Sequence, residues 1–273
     1  MAGGGFSALS LAFWRDAVTF LLLLASLALF RPRWLRVERR DLPWLIGLGG
    51  IGVGTFHVLW NLAITNLGYA VATVLLYSSP AFVTFMAWLL WREPLTRTKA
   101  LAIVLTLAGC VLAAGFEELA AIQITAGGLI LGLVAAMAYG SFSLFGRQVA
   151  GRYSPWTVLT FGFGFGALAL LPFQFGRPLP GPVSPISWLW FGGLVTLATI
   201  APFGAYLAAL RRLPVSVASI LAASEVAFGT LVGTLYYRER LEGLQIAGAV
   251  LVVAGVVLIA ARGAEKTAAV LIP

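Results

Sequence analysis

The sequence predicts an all-α integral membrane protein of about nine transmembrane helices, and three observations carry that reading. Of its 273 residues, 60% are hydrophobic and only 10% are charged, against about 45–50% and about 25% in a typical soluble chain. Mean hydropathy is +0.97. The charges gather in short gaps between apolar runs, and each run can cross a hydrocarbon layer of about 30 Å as a helix. A soluble core could not hide that much apolar surface.

The predicted spans are 8–30, 42–66, 69–91, 99–116, 126–146, 156–174, 187–210, 214–237 and 243–261. The first carries Arg15 and Asp16 within it and lacks a basic leading region, so it does not read as a signal peptide. The second follows the basic gap "RPRWLRVERRD" and contains His57, Trp60 and Asn61; the third contains "YSSP" (77–80). The fourth holds Cys110, the fifth "AYGSFS" (138–143) and the sixth "FGFGFG" (161–166). No strand precedes those alternating glycines, so they predict close helix packing and not a phosphate-cradling loop. The Pro-rich "QFGRPLPGPVSPI" leads into the seventh span, Glu225 lies in the eighth, and the ninth starts at Gly243. No gap is long enough for a soluble domain.

The net charge of +8 would suggest a nucleic-acid partner in a soluble protein. Here loop asymmetry explains it better, and no nucleic acid is expected. Arg31, Arg33, Arg36, Arg39, Arg40, Arg92, Arg97, Lys99, Arg147, Arg152, Arg211, Arg212, Arg262 and Lys266 fall on one side of the nine-span layout, while only Arg177, Arg238 and Arg240 fall on the other. Fourteen against three places the C-terminus in the cytoplasm. The lone cysteine and the lone histidine support neither a disulfide framework nor a metal site, and no cofactor is expected.

The chain also repeats itself. Slid by 146 residues, "LLYSSPAFVTFMAWLLWREPL" (75–95) falls on "LAASEVAFGTLVGTLYYRERL" (221–241) without a gap, and 75–114 against 221–260 shares 16 identities in 40 pairs. Ser78/Ser224, Phe82/Phe228, Arg92/Arg238, Glu93/Glu239 and Gly109/Gly255 are among them, and the same offset pairs Trp60 with Tyr206. In the nine-span layout Arg92–Glu93 and Arg238–Glu239 fall on opposite faces, which makes the repeat inverted, the arrangement of many secondary transporters. One unit is 1–116 with four spans, the other 126–261 with five. The partner of span 126–146 would precede Met1, so a complete version would have ten spans; a nine-span protein with its N-terminus outside is the other reading.

"GVGTFHVLWNLAITNLGYAVATVLLYSSPAFVTFMAWLLWREPL" and "TIAPFGAYLAALRRLPVSVASILAASEVAFGTLVGTLYYRERLEGLQIAGAVLVVAGVVLIA" resemble the two EamA-type repeats of the drug/metabolite transporter superfamily. The resemblance covers nearly the whole chain. Its strongest part is the pattern of Glu93, Leu95 and Gly109 repeated as Glu239, Leu241 and Gly255. It implies two inverted five-helix units around a central cavity, and movement of small metabolites such as amino acids or drugs, often outward. The sequence departs from the family in lacking its first helix, and in having Val226 where the family has a proline after the glutamate. Pro80 keeps a kink in the first repeat; Val226 is expected to remove it from the second.

Several residues within spans are candidates for the site. Glu225 lies roughly 17 Å into its span, where an acid costs about 2.5–3.5 kcal/mol and should face a cavity or a partner. Two readings stay open: a substrate-amine or proton site, or a carboxyl bridging two helices. Arg15 and Asp16 are adjacent and should point to different sides of their helix, with Arg15 an interface anchor or a gating charge. His57, Trp60 and Asn61 share one face by their spacing, for cavity lining or for helix–helix hydrogen bonds. Tyr77, Ser78, Ser79, Tyr139, Tyr206 and Ser224 add hydroxyls suited to a cavity.

Secondary transport is the function these features support. An intramembrane enzyme would need a catalytic cluster near an interface, and a single histidine with two intramembrane carboxylates on separate spans does not make one. A non-transporting scaffold or sensor is the alternative. Only Arg15 could hold a phosphate within a span, so neutral, zwitterionic or cationic substrates fit better than sugar phosphates. The expected partners are a small-molecule substrate and the lipid bilayer, in a bacterial inner membrane; the oligomeric state stays open.

Overall fold

The computed structural model describes residues 7–114, 125–175, 184–236 and 243–271, and among them every regular element is helical. They are α1 (Ala8–Phe30), α2 (Leu42–Ile46), α3 (Phe56–Leu76), α4 (Ser79–Trp91), α5 (Arg97–Ala113) and α6 (Ala126–Ala150). Then follow α7 (Pro155–Leu170), α8 (Pro185–Val195), α9 (Ala201–Ala209), α10 (Val215–Ala222), α11 (Glu225–Tyr236) and α12 (Gly243–Leu271). Wide π-helical turns join α2 to α3 (Gly47–Thr55) and α8 to α9 (Thr196–Ile200).

Among the described residues seven stretches are long and apolar enough to cross a membrane, and α4 is a shorter apolar helix. Leu21, Leu29, Phe30, Trp188, Leu189 and Leu197 lie exposed. Apolar surface on that scale is what a lipid solvent accepts and water does not. The protein is an integral membrane protein.

Three predicted boundaries have clear local causes. Spans 42–66 and 69–91 part at Gly68, where φ is +75° and ψ is 164°, a conformation open to glycine alone at low cost. Span 69–91 is itself broken: α3 ends at Leu76 and α4 begins at Ser79 with Pro80 in its first turn, where a proline needs no helical partner for its missing N–H. Span 214–237 breaks as well, between α10 and α11. This corrects the expectation that Val226 removes the kink. Both breaks use the same tight turn, Ser78 N–H to the Leu75 carbonyl at 3.0 Å and Ser224 N–H to the Leu221 carbonyl at 3.1 Å, so a proline is not required to make one.

These elements recur along the chain at the repeat offset of 146. α4 starts at Ser79 and α11 at Glu225; α5 starts at Arg97 and α12 at Gly243. The π turns at 196–200 fall within the image of those at 47–55. Arg92 ends α4 in a left-handed conformation, φ +54°, the usual C-terminal stop, though more often glycine. Its counterpart Arg238 lies outside the described residues, as do Glu239, Leu241, Arg177 and Arg240.

By packing, the chain forms two compact units that cut across the repeats: 1–61 with 141–212, and 62–140 with 213–273. In the first unit α7 is central, against α1, the π turns 47–55 and α9. The glycines of "FGFGFG" make this possible, as a Cβ at Gly164 would meet the Phe20 ring at 2.8 Å and one at Gly166 would meet Val53 at 2.8 Å. The expected close packing is therefore real. At one end of this unit the buried Asp41 accepts hydrogen bonds from the Arg152 guanidinium and, at 2.7 Å, from the Tyr153 hydroxyl. Partial burial, and then that bond to Asp41, hold the Tyr153 phenol above its ordinary pKa.

In the second unit α5 lies along α12, and α10 packs on α4. The repeat glycines are the reason for the first contact. A Cβ at Gly109 would meet the Gly248 carbonyl oxygen at 2.6 Å, and one at Gly255 would meet the Ala102 carbonyl oxygen at 2.9 Å. The backbones thus touch directly, as small residues allow within lipid.

Candidate functional site

The predicted site residues form two groups, one in each unit. In the first, α1 supplies Arg15 and Asp16 and the start of α3 supplies His57 and Asn61. Arg15 donates to Asp16 Oδ1 from Nη2 at 2.8 Å and from Nε at 3.1 Å. Its Nη2 also lies 2.6 Å from His57 Nε2, and its guanidinium stands 6.0 Å from the Phe163 ring centre on α7, a cation–π distance. Adjacent residues were expected to diverge. They pair because the long arginine side chain folds back along its helix to a carboxylate with 0% exposure.

His57 completes this group. Its Nδ1 is 2.5 Å from the Val53 carbonyl, four residues back in the π-helical stretch. Asn61 donates to the His57 carbonyl at 2.8 Å, and Trp60 stacks on Phe56 at 6.2 Å between ring centres. The predicted face of His57, Trp60 and Asn61 is therefore tied together locally. Tyr206 on α9 reaches Ser143 at 2.7 Å and packs against Phe142.

The second group stands on the two helix breaks. The Tyr77 hydroxyl, in the turn between α3 and α4, donates to Glu225 Oε1 at 2.9 Å. Glu225 opens α11 directly after the second break, in the first turn, where the unpaired backbone N–H groups favour negative charge. It is exposed at the protein surface, while Tyr77 is half-buried. So Glu225 bridges two chain segments through the Tyr77 hydroxyl while it stays exposed at the protein surface. Tyr139 on α6 and Cys110 on α5 lie within electrostatic reach of this pair. Ser78 turns back onto the Leu75 carbonyl at 2.6 Å and Ser79 is buried; Ser224 lies half-buried in the second break.

Glu93, part of the repeated pattern, lies just past the end of α4, and its partners make it a structural corner. It accepts from the Val215 N–H at 3.0 Å and from the Ser216 hydroxyl, capping α10, and from Lys99 Nζ at 3.3 Å. It thus ties the α4–α5 turn to the start of α10.

Comparison with known proteins places this architecture. The family model described as the EamA-like transporter family matches residues 1–115 and 126–261. An uncharacterized transporter of Archaeoglobus fulgidus is 31% identical over 89% of this chain and 85% of its own length. The threonine/homoserine exporter RhtA of Salmonella typhimurium is 26% identical over 85% of this chain and 75% of its own. A solved crystal structure at 20% identity superposes with a TM-score of 0.78, covering 93% of this chain and 88% of that one, which shows a shared fold. The chain belongs to the EamA-like transporter family of the drug/metabolite transporter superfamily and is a membrane transporter, not an enzyme.

Proposed function

We propose that the protein exports small neutral, zwitterionic or cationic metabolites, amino acids first among them, by alternating access. The observation that carries this is the Tyr77–Glu225 pair. A carboxylate at the start of a half-helix, within a chain of long apolar spans, is costly unless a cation or a proton uses it. Discontinuous helices of this kind mark substrate regions in secondary transporters. Glu225 receives the substrate's ammonium group, or a proton in competition with it, and the Tyr77 hydroxyl orients the carboxylate. Aromatic Tyr77 and Tyr139 suit the same cationic end.

The similarity to RhtA supports amino acids as the class and export as the direction. Arg15 is already engaged by Asp16 and His57, which argues against a phosphate-bearing substrate needing a free buried cation. The excess of basic residues in one set of loops supports a cytoplasmic C-terminus, and a bacterial inner membrane is the setting this reading takes. The test is flux into proteoliposomes with radiolabelled threonine, homoserine, lysine and a sugar phosphate, with and without a pH gradient. Uptake of the amino acids is expected; transport of the sugar phosphate alone would overturn the reading.

A further inference from the structure

The Arg15–Asp16–His57 group has a chemical property that the transport site does not use. Arginine has only donors and stays charged at any pH the protein meets. The 2.6 Å approach of Arg15 Nη2 to His57 Nε2 is therefore a hydrogen bond only if Nε2 carries a lone pair. The ring proton must then sit on Nδ1, which donates to the Val53 carbonyl at 2.5 Å. This geometry selects neutral His57 in a single tautomer.

We propose that His57 is a proton-binding latch between α1 and α3: a proton taken up at Nε2 removes the acceptor for Arg15 and breaks this link between the two helices. The added proton occupies the Nε2 lone pair, and no other bond changes order. Two cationic groups with facing N–H donors cannot hold a 2.6 Å contact, so the Arg15 guanidinium must leave. A place for it exists. Asp16 is fully buried, yet among the described residues its Oδ2 has no hydrogen-bond partner, and neither does Thr19 Oγ1 one turn further along α1. A buried carboxylate oxygen without a partner is a costly arrangement, and it is relieved when Arg15 spans both oxygens.

The groups facing His57 are few. Arg15 and Asp16 come from α1, the Val53 carbonyl from its own segment, and α7 presents the Phe163 ring with no titratable side chain between 155 and 170. Tyr206 on α9 is turned to Ser143. The latch lies beside the π-helical turns 47–55; irregular turns of this kind are frequent where a helix serves function. This inference concerns the response of the first unit to protons and needs no particular substrate.

His57 is the sole histidine of the chain, so ¹⁵N-histidine labelling with a histidine-free affinity tag reports one ring. In liposomes at pH 8 the spectrum should show a neutral ring protonated at Nδ1, and at pH 5 a cationic ring. In parallel, the protection of amides in α1 between Leu11 and Thr19, corrected for the intrinsic pH dependence of exchange, should fall roughly tenfold on acidification, the loss of one charge-assisted hydrogen bond. His57→Gln keeps an acceptor for Arg15 but takes no proton, and should lose that pH response. A neutral ring protonated at Nε2 at pH 8, a ring still neutral at pH 5, or α1 protection with the same pH response in His57→Gln as in wild type, would overturn the latch. Neither readout involves a substrate, so failure here and failure of the export reading are separate results.

Discussion

Substituting alanine for Gly109 tests whether direct backbone contact between α5 and α12 holds the second unit together. The new Cβ would stand 2.6 Å from the Gly248 carbonyl oxygen, 2.7 Å from Val252 Cγ2 and 2.8 Å from the Val252 nitrogen. Two of those three atoms are backbone, so no rotamer change relieves the clash. The helices must part by about 0.8 Å to restore ordinary contact, and a gap of that size forfeits a quarter to a half of each dispersion contact around it. Overpacking of this kind costs about 1–3 kcal/mol. Alanine returns up to about 1 kcal/mol through its better helix propensity, leaving a net loss of about 0–2 kcal/mol, and a loss of about 1–3 kcal/mol relative to an alanine at a glycine with open space around it. Reversible unfolding in mixed detergent micelles would measure it. Gly193→Ala on α8 is the control, because a Cβ there meets nothing within 4 Å, and it should be neutral or slightly stabilising. Equal stability of Gly109→Ala and Gly193→Ala would refute the reasoning.

Other expectations follow from the polar contacts. Glu93→Ala leaves Lys99, which is 7% exposed, without its partner and uncaps α10; a loss of about 3 kcal/mol is expected in the same unfolding assay. Asp41→Asn removes the charge facing Arg152 and Tyr153 and should cost about 1–3 kcal/mol. The folded-state pKa of Tyr153 is raised, so its contribution is fully present below the unfolded value of about 10 and is lost as pH rises through the folded value. Stability measured from pH 9 to pH 11 should therefore fall in wild type and fall less in Asp41→Asn.

Much of the fold was legible because lipid imposes one rule, a helix of sufficient apolar length. The limits of α1 and α7 follow from that length and from Ser7 and Ser154, which cap them. The break after Leu76 was signalled by Pro80. The matching break at Ala223–Ser224 has no proline, and only its 146-residue offset from Tyr77–Ser78 points to it. The π-helical turns at 47–55 left no signal beyond five glycines, which could equally have marked close packing.

The site was legible residue by residue but not as pairs. Glu225 stood out because a carboxylate in an apolar run needs a reason. Its partner Tyr77 is 148 residues away, close to the repeat offset but not fixed by it. Arg15 and Asp16 were read from helix geometry alone, which orients Cβ atoms and says little about where a long guanidinium side chain ends. Nothing in the sequence ties either to His57, 42 residues from Arg15; that contact comes only from the packing of the first unit.

The central claim is that transport runs through Glu225. Its most direct test is threonine flux in proteoliposomes for wild type and Glu225→Gln, with and without a pH gradient. Losing a charge-assisted hydrogen bond to the substrate amine should lower transport efficiency by about tenfold to a hundredfold and abolish stimulation by the gradient. Wild-type flux and wild-type gradient dependence in Glu225→Gln would contradict the account.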